Sequence, residues 1–360
     1  MLSRREFLRR SMLAALALAG GEALASCAPS PTPTPVPPTA TLAPRPTQVP
    51  LATATNTALP PTATRAATAT LTSTPAPPAT MTATPVPPTP TQPYLAVARS
   101  ADPAKMTRAA IDALGGMARF VKKGNDVILK PNICNASYTP EYATTTNPDV
   151  LAELVKMCLE AGAARVRVMD QPFSGTAVEA YKKSGIRDAV EKVGGQMEIM
   201  SAMKYADVNL PNGRLLKRWR VYQDILKADV VINVPIAKTH DLAQVTLALK
   251  GLFGVVTNPP ALHNALDQHI ADVNTLIKPT LSIIDGVRTL AVNGPTGGSL
   301  DFVVQTNVLI ASHDPVAADA YATKLLFLKK PEDIPYIKYA AEMGLGNFAF
   351  DKMRIKEVTA

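Results

Sequence analysis

A-D-V-V-I-N-V-P-I-A-K-T-H-D-L-A-Q-V-T-L-A-L-K-G-L-F-G-V-V, residues 228–256, is the stretch whose reading decides the fold. It opens with Val230-Val231-Ile232-Asn233-Val234, a β-branched run that reads as a buried strand. Pro235 ends that strand, because proline cannot donate to a ladder. Lys238, Thr239 and His240 are then expected on a loop, and the apolar run from Leu242 to Phe253 has the length of a helix. A strand tip that delivers a lysine and a histidine together is where an open α/β sheet places its ligand.

Outward from this stretch, short β-rich runs alternate with helical patterns, the signature of a mostly parallel sheet flanked by helices. Strands are expected at residues 126–129, 165–169, 197–200, 280–284, 307–311 and 353–358. Helices are expected at 149–161, at 178–193, from Pro315 to Leu328, and at 334–343. Asn147-Pro148 supplies an N-cap followed by proline at the first helical position. Five apolar strands run into polar residues: Lys130 and Asn132, Asp170, Lys238 and His240, Asp285, and His313 with Asp314. In a parallel sheet these ends share one edge, so the side chains are expected to converge.

The N-terminus reads as an address and a tether. Ser3-Arg4-Arg5-Glu6-Phe7-Leu8 resembles a twin-arginine export signature, and Met12 to Ala19 follows as its apolar region. Leu24-Ala25-Ser26-Cys27 resembles a lipobox, which would make Cys27 the acylated first residue of the mature chain. Residues 28–92 hold 18 Pro and 19 Thr and no acidic residue. Such a tract cannot bury enough apolar surface to offset its ordering entropy, and its T-P and P-x-P steps favour an extended spacer. Residues 93–360 then suffice for a single large α/β domain. The sequence therefore predicts a protein exported by the twin-arginine route and anchored by lipidated Cys27 at the outer face of the cytoplasmic membrane or in the cell envelope.

The net charge of +8 loses four Arg and two Glu with residues 1–26, leaving about +6, and that charge is diffuse. Lys217-Arg218-Trp219-Arg220 lacks the aromatic interleaving of a nucleic-acid surface, so nucleic acid is excluded as the expected partner. Beyond Cys27 only Cys134 and Cys158 remain. They could form one disulfide, although Cys158 falls in an apolar helical pattern and reads as a small core residue.

Several candidates carry two readings. Asp314 before Pro315 is first a helix N-cap, and Asp170 before Gln171-Pro172 is first a turn residue. His263 and His269 are six apart and do not share a helix face. Asn293-Gly294-Pro295-Thr296-Gly297-Gly298 either connects two elements or offers backbone N–H groups to an anion. Lys250, inside an apolar run, needs an anionic partner, a ligand or a depressed pKa, unless it reaches the surface.

Taken in order, K-P-N at 130–132, T-T-N-P at 145–148, Lys238-Thr239-His240, L-K-G-L-F-G at 249–254, Asp285-Gly286, N-G-P-T-G-G at 293–298, D-P-V-A-A-D at 314–319 and G-L-G at 344–346 resemble the protein family known as domain of unknown function 362. The resemblance runs from about Val127 to Gly346. It implies the α/β fold and, for many members, an association with iron–sulfur clusters held by closely spaced cysteines. This chain departs there: it has no C-x-x-C-x-x-C, and two scattered cysteines cannot supply four thiolates, which argues against an intrinsic cluster.

Three functions fit these residues. The first is a site for a small anionic ligand, in which Lys130, Asn132, Lys238, Thr239, Lys250 and Asn293 bind. His240 would be its general acid or base, and Asp285 would orient His240 or hold a substrate hydroxyl. The second is a divalent-metal site drawn from Asp170, Asp285, Asp314, Asp319, His240 and His263. The third is a tethered, non-catalytic binding or scaffold module. The sequence names no redox partner.

Overall fold

The computed structural model describes residues 94–360; the export signature, the lipobox with Cys27 and the Pro/Thr-rich tract lie outside the described residues. The chain begins with β1 (Leu95–Arg99) and α1 (Pro103–Ala113), continues through β2 (Asp126–Pro131) and α2 (Pro148–Glu160), and reaches β3 (Arg165–Val168). Two short helices follow, α3 (Ala177–Lys183) and α4 (Ile186–Lys192), then β4 (Gln196–Met197). A hairpin, β5 (Tyr205–Asn209) and β6 (Arg218–Tyr222), and α5 (Gln223–Lys227) lead into β7 (Val230–Val234). The second half holds β8 (Ile236–His240), β9 (Gln244–Thr246), α6 (Ala248–Gly251), α7 (Leu266–Leu276), β10 (Leu281–Leu290), β11 (Val303–Ser312), α8 (Pro315–Leu326), α9 (Pro335–Glu342) and β12 (Ile355–Thr359).

The main sheet runs β12-β1-β11-β10-β7-β2-β3-β4, with β8 added to the end of β10 and β9 beside β8. The pairs β10–β7, β7–β2, β2–β3 and β3–β4 are parallel, whereas β11 runs against both β10 and β1. This is the mostly parallel, helix-flanked α/β sheet that the alternating pattern predicts.

Successive side chains on a strand face opposite ways, so each strand feeds two cores. Ile128, Val231, Ile284 and Ile310 pack with α7, α8 and α9. Val127, Leu129, Val230, Ile232, Ile283 and Leu309 pack with α1 and α2 on the other face. The same alternation turns Lys130, Asn233 and Ser282, which align across three neighbouring strands, towards the first of these faces.

Three expectations are corrected. Lys238, Thr239 and His240 lie on a strand rather than a loop. The reason is that β10 is ten residues long and outlasts β7, so beyond Pro235 the chain resumes pairing with the same neighbour, at Asp285 and Leu290. The run from Leu242 to Phe253 is not one helix. Val245 and Thr246 fold back on β8, leaving helix only at Ala248–Gly251 and a 3₁₀ turn at Leu252–Val255. Finally, the antiparallel course of β11 carries His313 and Asp314 to the opposite edge of the sheet from the other four strand ends. Among the described residues no helix is long and apolar enough to cross a membrane.

Candidate functional site

The C-terminal edge of β2, β3 and β7, with β8 beside it, gathers most of the residues singled out by sequence. Lys130 is fully buried, and its Nζ stands 2.7 Å from Asp170 Oδ1 and donates to Pro131 O at 2.7 Å. Asp170, also buried, accepts the backbone N–H of Ile133 at 2.6 Å on its other oxygen. Burial pulls the Lys130 ammonium below the usual lysine range and pushes the Asp170 carboxyl above the usual carboxylate range, while their mutual attraction opposes both shifts. Gly254 presses on this pair: a β-carbon there would collide with Asp170 Oδ1 and crowd Lys130 Nζ. The L-K-G-L-F-G segment thus needs glycine at 254 for close approach, and that contact lays Lys250's segment over Lys130.

Lys238 is buried and donates from Nζ to Thr144 O at 3.1 Å. Lys250 is different. Its ammonium has no hydrogen bond and no ion pair, only the ring of Phe253 with its centroid 5.5 Å away. Burial, followed by repulsion from Lys238, brings the Lys250 pKa down to about 8, with Lys130 adding to the same effect. Cys134 lies close enough to interact electrostatically with both Lys130 and Lys250. Buried polar atoms without a protein partner gather along the same edge: Asn132 Oδ1, Asn233 Oδ1, Thr144 Oγ1 and Thr145 Oγ1. Asn233 uses its Nδ2 on Ala248 O at 2.8 Å, which ties β7 to the start of α6.

His240 is 8% exposed and accepts the backbone N–H groups of Leu242 and Ala243 on Nδ1 at 3.1 and 3.2 Å. Asp241 Oδ1 competes for the same nitrogen at 2.8 Å, but its carboxylate is well exposed. Burial first, then the charge of Lys250, depresses the imidazole to about 3, with Asp241 opposing. The ring is therefore neutral at pH 7, with its proton on Nε2 and its lone pair held by the backbone. It is a fixed donor and not the near-neutral acid and base expected from its unperturbed pKa. Thr239 Oγ1 accepts the N–H of Gly294 at 3.0 Å, so it anchors the N-G-P-T-G-G loop. Asn293 is exposed at the tip of that loop with φ of 55°.

Asp285 does not orient His240. It sits inside β10, paired with Ile236 of β8, and clamps the T-T-N-P segment by accepting Asn147 N–H at 2.7 Å and Val287 N–H at 2.9 Å. Burial raises its carboxyl to about 6. Asp319 is buried as well and accepts the N–H groups of Ala248 and Leu249 at 2.6 and 3.0 Å, fixing the start of α6. Asp314 caps α8 through Ala317 N–H at 2.9 Å and accepts Tyr94 Oη at 2.6 Å, as the N-cap reading predicts. His263 stacks near His240 with ring centroids 6.3 Å apart. Asp170, Asp314, Asp319 and His263 do not assemble as a ligand set: among the described residues no group of three or more His, Cys, Asp or Glu could hold a metal ion. Cys134 and Cys158 are both free and buried, and Cys158 packs in the core around α2. Four thiolates for an iron–sulfur cluster are not available from these two residues.

Two residues of the site escaped the sequence reading. Asn233 was visible as a lone amide in an apolar strand, and Cys134 as a thiol two positions after K-P-N. An open cleft of about 550 Å³ lies next to this edge, lined by Ala136, Ser137, Ser174, Gly175, Glu179, Lys182 and Lys183, without the buried lysines.

Residues 127–324 match the model of a family described as a domain of unknown function, number 362. A thylakoid-associated protein of Synechocystis is 29% identical over 253 residues, covering 66% of this chain and 74% of that protein. Among solved structures, the lactate racemase apoprotein of Thermoanaerobacterium thermosaccharolyticum aligns at 14% identity and a TM-score of 0.39, over 64% of this chain and 56% of that one. A Thermotoga maritima protein aligns at 15% identity and a TM-score of 0.33, over 52% of this chain and 51% of that one. The chain thus spans about half the length of the solved structures it matches. The family match covers more than half of the chain, from β2 into α8, and takes in the K-P-N turn, the lysine and histidine of β8, the glycine over the Lys130–Asp170 pair and the capping aspartates; the chain belongs to the family known as domain of unknown function 362.

Proposed function

We propose that this chain is an exported, membrane-tethered protein that binds a small anionic molecule at the C-terminal edge of its sheet. The observation that carries the reading is Lys250: an ammonium on a short apolar helix, with no anionic partner, influenced by Lys238 and Lys130. A part-buried charge with no protein partner is disfavoured, and the influence of two more lysines adds to that cost. A bound carboxylate or phosphate removes it. Neutral His240 adds a donor at Nε2. Thr239 and Asn293 enter through the glycine-rich loop they hold and flank.

The binding test is thermal denaturation of the full chain in detergent with acetate, lactate, inorganic phosphate and choline. The anions should raise the melting temperature and choline should not, and Lys250→Met should abolish the anion effect while the protein stays folded. Equal shifts in the wild type and in Lys250→Met would overturn the site. Export and anchoring rest on Arg4-Arg5 followed by Cys27 and the Pro/Thr-rich tract. The full chain should partition with membranes of a bacterial host. Cys27→Ala should release it, and Arg4→Lys with Arg5→Lys should trap it inside the cell; membrane association that survives Cys27→Ala would defeat lipid anchoring at that residue.

A further inference from the structure

We propose that the surface beyond the ends of β3 and β4 rests on an anionic phospholipid bilayer, with Phe173, Val178, Ile199 and Met203 entering its acyl boundary and Lys182 and Lys183 meeting lipid phosphates. Among the described residues seven large apolar side chains are exposed, and these four all fall within residues 173–203. Hydrogen bonds bring their segments together. Tyr181 Oη, on α3, bonds Asp170 O at 2.7 Å and Glu198 O at 3.1 Å, so α3 spans the ends of both strands. Val178 stands one turn before Tyr181, Ile199 directly follows Glu198, and Phe173 comes three residues after Asp170. Lys204 pairs with Glu198 at 2.8 Å, which holds the turn of Met203 beside Ile199. The backbone at Phe173 is braced: its N–H donates to Cys134 O at 3.1 Å, and Ala136 N–H donates to Ser174 O at 3.2 Å. Phe173 is 61% exposed and Met203 93%. Apolar side chains held out together by a fixed backbone mark a contact surface.

Charge decides what covers it. Lys182 and Lys183, in the last turn of α3, are exposed and have no carboxylate partner among the described residues. They line the open cleft of about 550 Å³ together with Ser137 and Ser174. Glu179, on the same cleft, spends its carboxylate on Thr176, accepting its backbone N–H at 3.1 Å and its hydroxyl at 2.8 Å. Protein–protein interfaces are depleted in lysine and favour arginine, tyrosine and tryptophan. No exposed residue of those three types lies between 173 and 203. Phenylalanine, aliphatic and methionine side chains beside free lysines match instead the boundary of a bilayer, where buried apolar area and attraction to anionic lipid add. Neither the anion site nor an acyl chain on Cys27 is needed for this contact.

The test uses the full chain with Cys27→Ala, which takes no acyl chain, and vesicles of phosphatidylcholine alone or mixed with phosphatidylglycerol. A polarity-sensitive dye on Met203→Cys should shift to the blue with the mixed vesicles. The same dye on Leu215→Cys, at the far end of the β5–β6 hairpin from Tyr205, should not. Lys182→Ala with Lys183→Ala should raise the lipid needed for half of the Met203→Cys shift roughly twentyfold. Phe173→Ser should raise it about tenfold. These side chains are exposed, so the variants should keep the wild-type circular dichroism spectrum. No shift at Met203→Cys, equal shifts at both labels, equal shifts on phosphatidylcholine alone, or a shift indifferent to these substitutions would overturn the bilayer contact. So would a shift that needs only more protein, which assigns the patch to a second copy of the chain. Stabilisation by glycerol phosphate with no vesicle effect would overturn it too, and assign the cleft to a soluble ligand.

Discussion

The Lys130 ammonium stands 2.7 Å from the Asp170 carboxylate, with both side chains at 5% exposure or less. They come from adjacent parallel strands, one at the end of β2 and one just past β3. Breaking such a pair from one side leaves an uncompensated buried charge, which costs roughly 3–5 kcal/mol. Lys130→Met should therefore lower the urea midpoint sharply, and adding Asp170→Asn should recover part of the loss. A single substitution that cost under about 1 kcal/mol would show that the pair is not held as ions.

Gly254 has an ordinary backbone conformation, so its requirement is purely steric. Gly254→Ala drives a methyl group into Asp170 Oδ1, and overpacking of this kind costs about 1–3 kcal/mol. Calorimetry should show the loss in stability together with weakened anion binding, because Lys250 moves with the segment.

Lys250→Met should have the opposite effect on stability. It removes a part-buried cation repelled by Lys238 and Lys130 and keeps most of the apolar stem, so the variant should melt higher than the wild type at pH 7. The folded pKa of about 8 lies below the ordinary lysine value of 10.5. Between those values the unfolded chain binds the proton and the folded chain does not, so wild-type stability rises with pH across that window. The gap between the variant and the wild type should narrow from pH 8 to pH 10; a constant gap would show that Lys250 keeps an ordinary pKa.

Asp285 has a folded pKa raised from 3.8 to about 6. Its contribution to stability is complete below the unfolded pKa and is lost as pH rises through the folded one. Asp285→Asn should flatten that part of the stability–pH profile between about pH 4 and pH 6. It should also destabilise the fold at every pH by about 1–3 kcal/mol, because an amide offers one acceptor oxygen to the two N–H groups of Asn147 and Val287.

His240, depressed to about 3, should stay neutral from pH 5 to pH 8. Nitrogen-15 NMR of the imidazole should show an unprotonated Nδ1 and a protonated Nε2 throughout. Titration of the ring near pH 6.5 would mean that the backbone donors of Leu242 and Ala243 do not hold it.

Local chemistry in the sequence determined a large part of this protein. The β-branched run at 230–234 made a central strand, Asn147-Pro148 and Asp314-Pro315 started helices, and the polar residues after β2, β3 and β7 marked the edge where the candidate site lies. These features depend on neighbours a few residues apart, through backbone conformation and hydrogen bonding, and so they can be read along the chain. The roles of the charged residues could not be read that way. Only the length of β10 decided that Lys238 and His240 extend a strand, and only the direction of β11 took His313 and Asp314 to the other edge. Only the fold gave Asp285 and Asp319 to backbone N–H groups, and left Lys250 with none of those carboxylates. A carboxylate's partner is set by strand direction and pleat, which are properties of the whole sheet; the same Asp, Lys and His residues at the same spacings would have served equally for a metal site or an anion site.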